Sequence, residues 1–181
     1  MTSYWFPDTT VFRSFEAGAR LSWLRTYLGD SGRWTEVVED EVKKSLGAHP
    51  GLEAVFVETW FPASETARDT GELSQIDQFR RAAMGGDPSR PTEHLGESET
   101  YVIMRNRPAF ADSFFVTDDH DAYEVFRAQN VRVEHTLEIV RKLVSRYECT
   151  AQEAFDFYDA CLAAGRRFID YPKTKGYFSN G

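Results

Sequence analysis

The sequence predicts an α/β fold built on a mainly parallel sheet. Short apolar runs rich in aromatic and β-branched residues occur around Trp5-Phe6, Val55-Phe56-Val57, Phe114-Phe115-Val116 and Val131-Arg132-Val133. Longer stretches between them carry apolar residues at three- and four-residue steps, the spacing of one helix face. Alternating strand and amphipathic helix is the pattern of a parallel sheet covered by helices.

Taken in order, Tyr4-Trp5-Phe6 reads as a strand ending at Pro7-Asp8. A helix follows through Val11, Phe12, Phe15, Leu21, Leu24 and Leu28, and stops at Gly29. Glu36 to Leu46 is a short helix with Val37, Val38, Val42 and Leu46 inward, ended by Gly47. Leu52 to Val57 suits a second, buried strand. The stretch from Trp60 to Arg90 is polar, with one helix near Leu73 to Met84 and a loop at Gly85-Gly86-Asp87-Pro88. Leu95 to Met104 is a helix, Ser113 to Thr117 a strand, Asp121 to Gln129 a helix, and Val131 to Val133 the last strand. Two amphipathic helices close the pattern, Leu137 to Tyr147 and Ala151 to Phe168.

A chain of 181 residues has the size of one domain. We expect a body over residues 1–148, a C-terminal helical segment over 149–170 packed on it, and a flexible tail over 171–181. With 41% hydrophobic residues there is material for a core, and no apolar run has the length of a membrane span. The start of the chain has neither a basic nor an apolar leader region, so a soluble, cytoplasmic protein without membrane contact is expected. Cys149 and Cys161 alone supply neither a disulfide framework nor a zinc site and read as reduced structural thiols. The net charge of −8 disfavours binding driven by phosphate attraction alone. It does not exclude a nucleic-acid enzyme whose acids are neutralised by a bound cation.

The acids fall in a suggestive order. In open α/β sheets the functional crevice lies beyond the carboxyl ends of the strands. Asp8 directly follows the first strand, and Asp118 and Asp119 follow Phe114-Phe115-Val116-Thr117. Glu41 lies in the short helix after the first crossover, and Glu99 in the first turn of the helix opened by Leu95-Gly96. Carboxylates brought together repel unless a cation compensates them, and an oxygen-only donor set favours Mg²⁺ or Mn²⁺. The plainer reading of Asp8, Asp118 and Asp119 is that each caps a helix N-terminus. The four histidines lack metal-ligand spacing and read as surface or capping residues, with His120 beside Asp119 the one near the acids. Arg80-Arg81, Arg105, Arg107, Arg141-Lys142 and Arg166-Arg167 read as solvated helix faces, the alternative being an RNA-backbone track with Tyr101 stacking on a base. Phe155, Phe157, Tyr158 and Phe168 read as the inner face of the terminal helix. Nucleophile-elbow, Walker and dinucleotide fingerprints are absent from the sequence.

Four segments, in order, resemble the PIN-domain ribonuclease family. Phe6-Pro7-Asp8-Thr9-Thr10-Val11 is similar to its opening Asp-Thr element, and Val37-Val38-Glu39-Asp40-Glu41-Val42 to its Val-x-x-Glu helix. His94-Leu95-Gly96-Glu97-Ser98-Glu99-Thr100 resembles the Leu-Gly-x-x-Glu element of a prokaryotic, toxin-bearing branch. Phe115-Val116-Thr117-Asp118-Asp119 with Val131-Arg132-Val133-Glu134-His135-Thr136-Leu137 resembles that branch's Thr-Asp-Asp and Val-x-Val-x-Gly-Thr-Leu segments. The resemblance spans residues 5 to about 146. It implies a three-layer PIN-like fold and a Mg²⁺- or Mn²⁺-dependent endonuclease acting on RNA, the toxin of a toxin–antitoxin pair. Position by position it implies Asp8, Glu41, Glu99 and Asp119 as the catalytic acids, with metal held by Asp8, Glu99, Asp119 and the neighbouring Asp118. It also implies an antitoxin-like partner offering basic side chains, or a homodimer. The sequence departs from the pattern at Thr10, which keeps a hydroxyl beside Asp8, at Ser98, expected as an N-cap, and at His135, in place of a glycine. The alternatives are a non-catalytic PIN-like interaction module, with the acids as caps, and a DNA-directed nuclease with the same site.

Overall fold

The structure is a computed structural model and describes residues 3–179. It is a mixed α/β fold with a three-stranded parallel sheet flanked by helices. Strand β1 (Trp5–Pro7) pairs with β2 (Phe114–Val116), and β2 with β3 (Arg132–Glu134). Phe6 lies opposite Phe115, which lies opposite Val133. Side chains alternate across these strands. Phe6 and Phe115 therefore enter one core, with Ile103, Met104, Phe110, Ala122 and Phe126. Trp5 and Val116 face the other and larger one, filled by Phe12, Phe15, Leu24, Leu137, Val140 and Phe157. Helices cover both faces, so β1 and the central β2 read as unbroken apolar runs, whereas the edge strand β3 exposes Arg132 and buries Glu134.

Helices α1 (Thr9–Ala17) and α2 (Leu21–Leu28) occupy the stretch expected as one helix. The break falls at Gly18-Ala19, where Ala19 takes a positive φ of 53°. A Cβ on Gly18 would stand 2.3 Å from the Phe157 ring, so glycine lets the chain turn against the terminal helix. Helix α3 (Glu36–Ser45) follows. The expected strand at Leu52 to Val57 is instead a 3₁₀ turn at Pro50–Leu52 running into helix α4 (Glu53–Val57). Leu52 and Val55 are buried, whereas Val57 is 74% exposed. An i, i+3 pair is all that a helical turn needs to bury, and three consecutive apolar residues cannot distinguish it from a strand.

Helix α5 (Thr70–Ala82) packs on α6 (Leu95–Asn106) through Phe79 stacked on Tyr101 at 3.8 Å. That stacking occupies one face of the ring considered as a base platform. Buried Arg107 pairs with Glu65 and, at 3.5 Å, with Glu72, tying the polar stretch to the end of α6. Helix α7 (His120–Ala128) leads into β3, and α8 (Thr136–Ser145) and α9 (Ala151–Ala163) lie in the larger core. Phe157 contacts Phe15 and Trp23, Tyr158 contacts Phe168, and Phe155 is half-buried, so this chain itself takes up the α9 aromatics. Helix α9 stops before Gly165, whose φ is +78°. The described part of the tail is packed: α10 (Gly176–Ser179) places Phe178 in the core, fully buried, and the Tyr177 hydroxyl donates to Asp170 at 2.6 Å. The tail expected to be flexible thus has an apolar anchor, and its last two residues lie outside the described ones. Both cysteines are buried and unbridged, and burial pushes their thiols up to about 11 for Cys149 and about 12 for Cys161. Among the described residues no helix is long and apolar enough to cross a membrane.

Candidate active site

The carboxyl ends of β1 and β2 deliver Asp8 and the Thr117-Asp118-Asp119 run to one edge of the sheet. Asp8 is buried and caps α1, accepting from the Thr9 amide at 2.6 Å. Its other oxygen, Oδ2, accepts from the Thr10 hydroxyl at 2.7 Å and the Thr117 hydroxyl at 3.3 Å. The hydroxyl retained at Thr10 is therefore what orients the acid. Burial pushes the Asp8 carboxyl above its ordinary range, and these hydrogen bonds pull against it.

Two threonines link Asp8 to its neighbours. The Thr9 hydroxyl donates to Glu41 Oε2 at 2.8 Å while its amide holds Asp8. Thr117 accepts the Asp119 amide at 3.0 Å on the oxygen that donates to Asp8. Asp119 caps α7 by accepting from the Ala122 amide at 2.9 Å. Three acids named from the sequence, Asp8, Glu41 and Asp119, are thereby gathered at this edge.

Glu99 is not the fourth. It is buried and turned toward α3, where its Oε2 accepts from the Val37 amide at 3.1 Å. It caps from outside a helix whose own N-cap residue, Thr35, makes no side-chain capping bond. The acid that faces the cluster is Glu97. Burial and the charges of Asp8, Glu41 and Asp119 push its carboxyl up to about 8. A Cβ on Gly96 would stand 3.3 Å from Glu41 Oε1, which shows how closely the first turn of α6 approaches that side chain. Residues two apart on a helix point about 200° away from each other, so Glu97 and Glu99 cannot both face one site. Glu99 shares its face with Val102 and Ile103, at i+3 and i+4, both buried. That spacing was the available signal that Glu99 looks into the protein and Glu97 away from it.

Asp118 is also directed elsewhere. Its side chain accepts from the Ser14 hydroxyl at 2.7 Å, the Thr136 amide at 2.9 Å and the Thr136 hydroxyl at 2.7 Å. It ties α1, β2 and the start of α8 together, and burial lifts its carboxyl. Ser98 is no N-cap either. Helix α6 begins at Leu95 after His94, which takes a positive φ of 57°, and the Ser98 hydroxyl donates back to the His94 carbonyl at 2.6 Å. His135 caps α8 with extended backbone, φ −127°, so a side chain is tolerated there. His120 is exposed at the rim.

The oxygen-only set of Asp8, Glu41, Glu97 and Asp119 has the donor chemistry of a hard divalent cation. Burial is the main cause that raises the Asp8, Glu41 and Glu97 carboxyls, and the charge of Asp8 adds to it at Glu41 and Glu97, a repulsion that such a cation would relieve. Among the described residues, no group of three or more His, Cys, Asp or Glu side chains stands in the close arrangement of a ready-made metal site. Here Asp8 already spends its oxygens on the Thr9 amide and two hydroxyls.

This electrostatic arrangement has a pH signature. Glu97 in the folded chain keeps its proton up to about 8, whereas its ordinary value is 4.5. Between those values the folded state binds more protons than the unfolded one, so stability falls as pH rises. We expect the Tm, measured in EDTA, to fall from pH 5 to pH 8, and Mn²⁺ to remove most of that slope. A Tm that rises over this interval would contradict the clustering.

Comparison with protein-family models, with curated proteins and with solved structures finds no match to this chain.

Proposed function

We propose that the chain is a divalent-metal-dependent endoribonuclease of PIN type, with Asp8, Glu41, Glu97 and Asp119 as its acidic site. The observation that carries this reading is the linkage of Asp8 to Glu41 through Thr9 and to Asp119 through Thr117, with the first turn of α6 close against Glu41. Helix capping accounts for Asp8 and Asp119 individually, and that favours the non-catalytic module as the second reading. Capping does not account for Glu41 and Glu97 facing the same edge, an arrangement that costs free energy unless a cation or a proton offsets it.

A bound Mg²⁺ or Mn²⁺ would supply polarisation of a phosphoryl oxygen and a water of lowered pKa. Asp8, Glu97 and Asp119 would hold it. Glu41 keeps one oxygen free: its Oε2 takes one hydrogen bond, from Thr9, and Arg13 and Lys44 partly offset its repulsion from Asp8. It is suited to accept a proton from an attacking water. Thr9, Thr10 and Thr117 keep the carboxylates oriented, and Glu99 fixes the start of α3 and hence the approach of Glu41.

The test is incubation of the purified protein with total RNA in Mn²⁺ and in EDTA, with a thermal shift in the same buffers. Cleavage confined to Mn²⁺ is expected, with stabilisation of about 2.7 kcal/mol at a hundred times the dissociation constant. Neither cleavage nor a shift would leave the interaction-module reading in its place.

A further inference from the structure

A cleft of about 530 Å³ opens beside the acidic edge, between the start of α7 and the segment that follows α9. Asp118, Asp119 and the exposed Asp121 supply carboxylates to one side of its lining, and Arg166, Arg167 and Tyr171 the facing cations and ring. The second wall is built rather than loose. Arg166 Nη2 donates to the Thr10 carbonyl at 2.9 Å and its Nε to the Ser14 hydroxyl at 3.2 Å. Phe168, one residue beyond Arg167, is buried against Tyr158. Asp170 is held by the Tyr177 hydroxyl and lies 3.5 Å from His135. Arg167 is thus presented between two anchored neighbours, itself exposed and with no ion pair among the described residues. Arg166 bonds only to neutral oxygens there. In a chain where acids outnumber bases 29 to 21, two guanidiniums without carboxylate partners beside an acidic site invite an anion from outside.

We propose that this cleft is the track of a single-stranded polynucleotide, in which Arg167 takes a backbone phosphate next to the one addressed by the acids and Tyr171 stacks on a base. The inference rests on the nuclease reading for its direction, since the acids form one wall. The single strand follows from size and chemistry. The cleft has the volume of a pocket for a small ligand, not of a groove for a duplex. Tyr171 is 58% exposed, and a free ring face stacks on bases that are unpaired. Arg166, spent on the Thr10 carbonyl and Ser14, is a positioning residue that holds the wall against α1.

The experiment is anisotropy of a short fluorescein-labelled oligoribonucleotide in EDTA, where cleavage does not interfere, over a range of salt. We expect Arg167→Ala to weaken binding several-fold at every sequence and to lower the salt slope by about 0.7, the share of one single-strand phosphate contact. Tyr171→Ala should weaken it by about tenfold. Arg105→Ala, the same change of charge at a different cavity between α5 and α6, should bind like the wild type. Failure of the wild type to bind, or equal binding and slope in all four proteins, would overturn the proposal. Cleavage in Mn²⁺ is read separately. Wild-type cleavage with an unchanged KM in Arg167→Ala sinks the track and spares the nuclease. Arg167-dependent binding without any cleavage does the reverse.

Discussion

Glu97→Gln protein is expected to lose Mn²⁺-dependent RNA cleavage by about a hundredfold or more, as removal of a metal-holding or proton-handling carboxylate does. Glu99→Gln, two residues away, is expected to stay within about threefold of the wild type. The two variants make the same change in the same turn, so the contrast isolates the direction each side chain takes. Glutamine at 97 resembles the protonated acid that the cluster favours below about pH 8. Its Tm in EDTA should therefore match the wild type near pH 4 and exceed it by a growing margin as pH rises toward 8, because only the wild type's unfolded state gains stability by releasing this proton. Glutamine at 99 keeps an oxygen for the Val37 amide but loses the charge at the start of α3, a loss of about 0.3–1 kcal/mol. Activity retained by Glu97→Gln and lost by Glu99→Gln would return the site to the acid first read from the sequence. Asp119→Asn should behave like Glu97→Gln in the cleavage assay while remaining folded, because it lowers the charge of a repulsive group and keeps an oxygen for the Ala122 amide.

The sheet and most helices were legible because their signals are periodic. Phe114-Phe115-Val116 and Trp5-Phe6 have no polar alternation, as expected of strands with a core on each side. The stretch from Leu52 to Val57 was not, since its apolar residues are too few to show a period. The split between α1 and α2 turns on Gly18 meeting Phe157, a contact between positions 139 apart in the chain that no local pattern encodes. At the site, Asp8, Glu41 and Asp119 could be read because each follows a strand or lies one crossover from it. The motif selects Glu99, whereas the structure turns Glu99 to the Val37 amide and sets Glu97 near Asp8, Glu41 and Asp119, because a linear motif records spacing and not azimuth. Tyr177 and Phe178 sit in a stretch whose Gly, Lys and Pro content suggested mobility, and two aromatic side chains outweighed that composition.

Asp118 separates structure from chemistry most sharply. The resemblance counts it among the acids beside the metal, whereas its carboxylate is enclosed by α1, β2 and α8. Its amide donates to Thr10 Oγ1 at 3.1 Å, the hydroxyl that donates to Asp8. Asp118→Ala would strand the Thr136 hydroxyl and the Thr136 amide, at about 1–3 kcal/mol for each group that finds no new partner, whereas the Ser14 hydroxyl keeps the Thr10 carbonyl at 3.1 Å and Arg166. The main-chain bond to Thr10 would survive, so Asp8 would keep its orientation. The expected result is a loss of at least about 2 kcal/mol in denaturant unfolding, a sizeable share of the 5–15 kcal/mol of an ordinary domain. The molecules that remain folded should cleave at a near-normal rate with unchanged Mn²⁺ dependence. Asp118→Asn gives a second measurement if the alanine variant does not fold: its amide oxygen can accept from Thr136, while its NH₂ meets hydroxyls able to rotate and accept. It should be destabilised less than Asp118→Ala and remain active. A fully stable Asp118→Asn protein whose Mn²⁺ requirement rises by about tenfold or more would instead place this carboxylate among the metal's own ligands.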